Sequence, residues 1–408
     1  MKALVLAAGE GTRLRPLTSN VPKPLIVVAG KPFLSHVFHA LSAVGVKDIV
    51  LLVGWKANRI KEYYGNGSRE GIKIHYLEQK ERMGTAHAIG VAEGTITEPF
   101  ICVNGDVVVS ELDVSEMIAI HKKKKSTVIG AVTVKDPQRF GVIEMSGGKL
   151  VRIIEKPQIP PTDLINAGIF IFNPEIFKET RKTGRSSRGE YEITDTLNNL
   201  AKSKSVLVHR LKGDWIDVGR PWDLLRANEI LMSRMKGRIQ GAIEDGVHLL
   251  GEVVVEKGAR IRSGSYIEGP VYISEGCDIG PNCYIRPSTC IGPKCRVGSS
   301  VEVKNSIIMA GSHIPHHNYV GDSIIGERCN LGAGTKVANL RFDGMTVKVT
   351  FGGNTVDTER RKLGVIMGDD VKTGINSMLD SGTIIWENAT IGPGALARGK
   401  VGPGSRVL

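Results

Sequence analysis

The sequence is short of rings: aromatic residues make up 5% of its 408 residues. Its six cysteines include no C-x-x-C pair, which leaves neither a disulfide framework nor a zinc site. No stretch reaches the ~18 continuous apolar residues of a membrane span. The opening segment, MKALVLAAGEG, lacks the long apolar run and small-residue cleavage site of a signal peptide. It reads as a first strand, and the chain as cytoplasmic. What is abundant is glycine, at 49 residues, in a chain that is 41% apolar. Many glycines, few rings and a supply of Ile and Val predict tight turns around small cores. At ~150 residues per average domain the length predicts two or three domains.

Lys and Arg number 54 against 42 Asp and Glu, a formal net charge of +12. Such a balance is compatible with nucleic acid. The basic residues are scattered, however, and only Lys122 to Lys125 form a run, which reads as a solvated helix end. Phosphorylated small substrates are the better match, and neither nucleic acid nor a membrane is expected as a partner.

The two halves differ in period. Up to about residue 230, short Val/Ile/Leu runs (3–8, 49–53, 100–103, 127–134, 169–172) alternate with helical patterns such as 33–44 and 114–121. That alternation predicts a mostly parallel sheet covered on both faces. The second half repeats every six residues. Val255, Ile261, Ile267, Ile273, Ile279, Ile285, Ile291, Val297 and Val303 form an unbroken series, with a small or compact residue two positions before each. This is the hexapeptide signature of a left-handed parallel β-helix, in which three hexads make one coil. Cys277, Cys283, Cys295 and Cys329 fall at the small position and are expected to pack as small hydrophobes. Residues 310–319 and 340–364 are expected to interrupt the repeat, and insertions in solenoids commonly emerge as functional loops. The expected domains are 1–230, a linker at 231–250, and 251–408.

The first run ends in Gly9-Glu10-Gly11-Thr12-Arg13. Glycines there let backbone N–H groups approach phosphate oxygens, and Arg13 is suited to neutralise a leaving polyphosphate. The third glycine of a dinucleotide fingerprint and the GK[ST] of a P-loop are both missing. A Val21-Pro22-Lys23-Pro24-Leu25 segment follows. Singly, Lys23 reads as a surface lysine, Asp106 as a strand-end turn residue and Asp217 as a helix cap.

Together these motifs resemble the sugar-1-phosphate nucleotidylyltransferases. Glu78-Gln79, Gly84-Thr85, Asn104-Gly105-Asp106, Gly141, Glu155-Lys156-Pro157, Asn166-Ala167-Gly168 and Trp215-Ile216-Asp217 follow in order. The resemblance covers residues 1–230 and implies a Rossmann-like mixed sheet. It implies Arg13 and Lys23 as catalytic cations and Asp106 and Asp217 as ligands of Mg²⁺. It further implies Ala8, Gly9, Gly11, Thr12, Gln79, Gly84 and Thr85 at the nucleotide, and Gly141, Glu155, Lys156 and Asn166 at the sugar phosphate.

Three of the ten histidines, His313, His316 and His317, lie close together. Alone, a loop histidine pair is more often solvated than catalytic. The segment His316-His317-Asn318-Tyr319-Val320-Gly321-Asp322, followed by Asn330-Leu331-Gly332-Ala333-Gly334-Thr335 and Asn339, resembles a bacterial bifunctional family. Its members are glucosamine-1-phosphate acetyltransferases and N-acetylglucosamine-1-phosphate uridylyltransferases. The resemblance implies His316 as general base, Tyr319, Asn330 and Lys348 holding the sugar phosphate, and Asn339 orienting it. Ala333 would lie along acetyl-CoA, with each acetyl site at a subunit interface of a homotrimer. The spacing around Lys348 departs from the bacterial pattern. Arg15-Pro16-Leu17-Thr18 and the aspartate at 217, where the bacterial enzymes use Asn, look closer to thymidylyl, guanylyl and archaeal-type enzymes.

The sequence thus reads as a bifunctional enzyme that acetylates glucosamine-1-phosphate and couples the product to UTP, making UDP-N-acetylglucosamine, with dTTP as the other nucleotide and glucose-1-phosphate as the other sugar phosphate. Two alternatives stand beside it. One is a single-activity nucleotidylyltransferase with an oligomerising β-helix; the other is a non-catalytic nucleotide-sugar sensor.

Overall fold

The structure is a computed structural model that describes all residues from Met1 to Leu408. It divides into two compact units. The first comprises Met1–Glu10, Pro22–Leu25 and Phe33–Asp217; the second comprises Gly11–Val21, Ile26–Pro32 and Val218–Leu408. No helix is long and apolar enough to cross a membrane.

The apolar runs of the first unit form one nine-stranded sheet. Across it lie Lys73–Glu78, Asp48–Val53, Lys2–Ala7, Phe100–Asn104, Leu164–Phe172, Thr127–Thr133, Val206–Arg210, Lys149–Glu155 and Gly141–Ser146. The first four pair in parallel, as strand–helix alternation predicts. Beyond them the expectation of a mostly parallel sheet is corrected. Leu164–Phe172 runs antiparallel to both neighbours, and Lys149–Glu155 runs antiparallel to Val206–Arg210 and Gly141–Ser146. Only Gly147 and Gly148 separate the last two strands. Two residues permit a hairpin, whereas a parallel crossover needs a dozen or more. Rings gather in this unit: Phe100, Phe170, Phe172 and Phe177 share its core, and Phe100 stacks on Phe177 with centroids 5.4 Å apart.

The second unit carries three parallel ladders. Val253 pairs with Val271 and Val271 with Thr289, eighteen residues on each time. Arg260, Asp278 and Arg296 repeat the step in the second ladder, as do Tyr266 and Tyr284 in the third. Three hexads per step, in parallel, are consistent with a β-helix. The nine aliphatic positions from Val255 to Val303 are all fully buried, and the core they share contains no aromatic residue. Cys277, Cys283 and Cys295 donate their S–H groups to the carbonyls of Gly292, Gly298 and Met309 at 3.0, 2.7 and 3.0 Å. Burial pushes the Cys277 and Cys283 thiols up to about 11, so these groups pack rather than react.

Two local expectations change. Residues 310–319 do not interrupt the repeat. His313–Ile314 and Tyr319–Gly321 are ladder strands, paired with Arg296–Val297 and Glu302–Lys304. Val303 and the next inward residue, Ile308, are only five apart, and Ile314 and Val320 resume the spacing of six, all buried. Losing one corner residue shifts the phase but leaves every ladder intact. Residues 340–364 do leave the repeat, as the hairpin Lys348–Phe351 with Asn354–Asp357. In 231–250, the stretch read as a linker, the helix Asp223–Ser233 ends and the strands Arg238–Ile239, Ala242–Ile243 and His248–Leu250 already join the ladders. Ile243 and Leu249 extend the period of six backwards, in a rung too exposed to stand out by composition.

Candidate active sites

In the first unit Lys23 opens a short 3-10 turn, Lys23–Leu25, and places Nζ 2.5 Å from Asp106 Oδ2. Asp106 follows the central strand Phe100–Asn104. The next strand, Val107–Val109, pairs antiparallel with Trp215–Asp217, so that Asp217 stands opposite Val107. Two carboxylates thus leave neighbouring strands one residue apart in register. Ala8 and Gly9 continue the adjacent parallel strand Lys2–Ala7, and nothing lies within 4 Å of a side chain built at Gly9. Carboxyl ends of adjacent parallel strands are where open α/β sheets bind ligands. Asp106 and Asp217 are hard oxygen donors of the kind that suits a divalent hard cation completed by substrate phosphates. No group of three His, Cys, Asp or Glu side chains gathers to hold a metal without such help.

Gly11, Thr12 and Arg13 belong to the second unit. The buried Thr18 hydroxyl and the Leu14 N–H both donate to the Gly11 carbonyl at 2.8 Å, which pins the loop. Thr12 and Arg13 stay exposed.

Gln79 is held by its backbone N–H on the Val53 carbonyl and by a 2.9 Å contact between Nε2 and His87 Nδ1. Gly84 sits at φ 109°, and a Cβ there would meet the Tyr191 carbonyl oxygen at 2.5 Å. Only glycine accepts that approach. Thr85 takes the Ile193 N–H on its hydroxyl at 2.9 Å. Gly141 pairs with Glu155 across a hairpin. Glu155 is gripped by Arg188 at 3.2 Å, with Lys156 Nζ 3.7 Å away. Arg188 also reaches the buried Glu192 at 3.0 Å. Burial first, and the Glu155 charge second, push the Glu192 carboxyl above its usual value. Asn166 accepts the Gly168 N–H at 3.0 Å, shaping the irregular part of its strand. The structure therefore gathers Gly141, Glu155 and Lys156. It adds His87, Tyr191, Arg188 and Glu192, which the motifs did not single out. The acidic GEYE run at 189–192 beside Arg188 was the available signal.

In the second unit the Asn339 Nδ2 donates to the Tyr319 hydroxyl at 3.1 Å and to Asp322 Oδ2 at 2.6 Å. Asp322, 2% exposed, also accepts from Lys304 Nζ at 3.1 Å and Asn305 Nδ2 at 2.8 Å. A Cβ on Gly321 would meet both Asn339 Nδ2 and the Tyr319 hydroxyl oxygen at 2.6 Å, so the absence of a side chain is what lets these two meet. His316 is exposed, and its carbonyl accepts the Gly334 N–H at 2.9 Å from the next repeat. Ala333 is thereby stacked beside it. Asn330 bridges His313 and Lys372 on a different ladder from Tyr319. Lys348 lies in the protruding hairpin opposite Asp357. No hydrogen bond or ion pair within the chain joins Asn330 or Lys348 to Tyr319.

The same two regions are the ones shared with known proteins. A nucleotidyl transferase family profile matches residues 2–234, and a GMPPB C-terminal domain profile matches residues 267–391. The chain is 44% identical over 397 residues to "Bifunctional protein GlmU" of Methanocaldococcus jannaschii, covering 97% of this chain and 94% of that one. It is 42% identical over 408 residues to the "Bifunctional sugar-1-phosphate nucleotidylyltransferase/acetyltransferase" of Sulfurisphaera tokodaii, covering 99% of each. A crystal structure of UDP-glucose pyrophosphorylase complexed with UDP-glucose shares the fold at a TM-score of 0.53 and 24% identity. The match covers 57% of this chain and 98% of that one. With its nucleotidyl transferase half and near full-length likeness to these relatives, the chain belongs to the archaeal-type family of bifunctional sugar-1-phosphate nucleotidylyltransferases/acetyltransferases.

Proposed function

We propose that the protein N-acetylates glucosamine-1-phosphate with acetyl-CoA in its second unit and transfers UMP from UTP to N-acetylglucosamine-1-phosphate in its first, making UDP-N-acetylglucosamine. Two separate polar clusters carry the reading, one in each unit. They are Lys23–Asp106 with Asp217 alongside, and Tyr319–Asn339–Asp322. dTTP and glucose-1-phosphate are the competing substrates, given the Arg15-Pro16-Leu17-Thr18 sequence.

In nucleotidyl transfer a phosphate oxygen of the sugar attacks the α-phosphorus in line, and the bond to pyrophosphate breaks with its electron pair on the leaving group. Positioning and charge neutralisation supply most of the rate. Lys23, held at the strand ends by Asp106, brings an ammonium to the phosphates; Arg13 brings a second cation from the glycine loop. Asp106 and Asp217 would hold a magnesium ion, which neutralises the triphosphate as it transfers. Ala8, Gly9, Gly11, Thr12, Gln79, Gly84 and Thr85 form the nucleotide side, where an amide such as Gln79 pairs with a uracil or thymine edge. Gly141, Glu155, Lys156 and Asn166 form the sugar side.

In acetyl transfer the amine nitrogen forms a bond to the thioester carbonyl carbon, the carbon–sulfur bond breaks, and CoA leaves as thiolate. The ammonium must first lose a proton, and the His316 imidazole accepts it. Tyr319 and Asn339 orient the sugar phosphate, and Ala333 lies beside the acyl donor. The repeat forms a left-handed parallel β-helix that assembles as a homotrimer. Asn330, on a different ladder from Tyr319, and Lys348, in the hairpin, then meet a neighbour's cluster. The enzyme works in the cytoplasm.

The test is a coupled assay with glucosamine-1-phosphate, acetyl-CoA, Mg²⁺ and each nucleoside triphosphate in turn, on the wild type and His316→Ala. Loss of acetyl transfer alone in the variant is expected. Wild-type protein without acetyl transfer favours the single-activity alternative, and wild-type protein without pyrophosphate release favours the sensor.

A further inference from the structure

A cavity of about 480 Å³ lies within the second unit, and none of Tyr319, Asp322 and Asn339 lines it. Three elements wall it. Thr12, Arg13 and Arg15 come from the glycine-rich loop; Thr350 to Gly353 come from the tip of the hairpin that leaves the repeat; Ile384, Trp386 and Lys400 come from adjacent rungs of one ladder. Ile384 pairs with Lys400, and the Lys400 ammonium stands 5.3 Å from the Trp386 ring centroid. Phe351 is braced from behind by Trp222, with ring centroids 5.6 Å apart.

The lining has a definite chemistry. Three cations, Arg13, Arg15 and Lys400, face it without one carboxylate among the ten lining residues. Trp386 and Phe351 present rings, in a unit whose buried repeat core uses none. Positive charge invites phosphate, aromatic faces invite a flat base, and the volume falls in the range of small-ligand sites. The hairpin supplying one wall is the only long excursion from the repeat; the proposed reactions use Lys348 at its base, whereas the tip that lines the cavity, 350–353, has no part in them.

We propose that this cavity is a second, non-catalytic ligand site that takes a nucleoside diphosphate, with the base on Trp386 and Phe351 and the phosphates on Arg15 and Lys400. Because Arg13 and Thr12 share the wall, an occupant also biases the loop. That consequence rests on the role proposed for Arg13, whereas binding itself does not. UDP-N-acetylglucosamine and CoA both carry the required moiety.

The experiment titrates the full-length protein with UDP by calorimetry and by Trp386 fluorescence, beside Lys400→Ala, Lys400→Arg and Trp386→Phe. Two UDP sites per chain are expected in the wild type. Lys400→Ala should weaken one of them about tenfold, as befits one charge-assisted contact, and Lys400→Arg should restore it. The fluorescence change should vanish in Trp386→Phe, and the KM for the nucleoside triphosphate should stay put in Lys400→Ala. Competition by UDP-N-acetylglucosamine against CoA at this site then identifies the source. A single UDP site in wild type and Lys400→Ala alike overturns the proposal. So does a single site with a raised triphosphate KM in Lys400→Ala, which would make the cavity part of the substrate site. Failure of nucleotidyl transfer itself, with both UDP sites intact, would instead count against the proposed function.

Discussion

Asn339 donates its amide Nδ2 to the Tyr319 hydroxyl at 3.1 Å, across one step of the ladder. The contact exists because Gly321, between them, has no side chain, and because the buried Asp322 takes the same Nδ2 at 2.6 Å.

Gly321→Ala tests that arrangement. Its Cβ would fall 2.6 Å from both partners, and misplacing a positioned group by ~1 Å costs about a hundredfold. Acetyl transfer is expected to fall by about that factor while nucleotidyl transfer is unchanged. Equal loss of both activities would point to misfolding.

Lys23→Ala and Asp106→Asn should act on the other activity. Removing one preorganised charge from a phosphoryl-transfer site costs about 10²–10³ in rate. Pyrophosphate release should drop by that order in both variants, with acetyl transfer retained. Lys23→Arg, longer and planar, should restore little.

Acid should loosen the first unit through Asp113. Burial pushes its carboxyl up. The Ser110 hydroxyl at 2.6 Å, the Lys212 and Gly213 N–H groups at 2.9 Å each and His209 outweigh burial, and the carboxyl is held below its usual value. A lowered folded-state value stabilises above the ordinary aspartate range and is lost as pH falls through and below it. Thermal unfolding temperature should therefore decline in acid, and the decline should flatten in Asp113→Asn. That variant should be less stable at neutral pH by about 1–3 kcal/mol, since an amide N–H would replace an acceptor facing buried donors.

Ile285→Ala removes a fully buried residue of the repeat core. A loss of about 2–5 kcal/mol in unfolding free energy is expected by denaturant titration. The core is close-packed by stacked rungs, and neighbours cannot collapse into the gap without breaking register.

Much of this is legible in the chain alone. The period of six placed the inward residues from Val255 to Val303, and four of the buried cysteines, because side chains in stacked rungs must match in size at each level. The ordered motifs gathered Lys23 with Asp106. What escaped were features that depend on counting against a partner. The five-residue step from Val303 to Ile308 made 310–319 look like a break, since the ladder that carries the phase across it is not visible along one dimension. The antiparallel run of Leu164–Phe172 was hidden for a related reason: apolar periodicity reports burial, and a strand buried on both faces looks alike in either direction.

Period and residue chemistry are local properties, so the two halves, the repeat with its inward face and the charged groups can be read along the chain. Which of them meet depends on the fold. It set Asp217 opposite Val107, joined Asn339 to Tyr319 over Gly321, and put Asn330 on a different ladder from Tyr319. It also folded the hairpin tip, the glycine loop and Lys400 around one cavity. Those relations rest on strand pairing between distant segments, which no stretch of sequence contains.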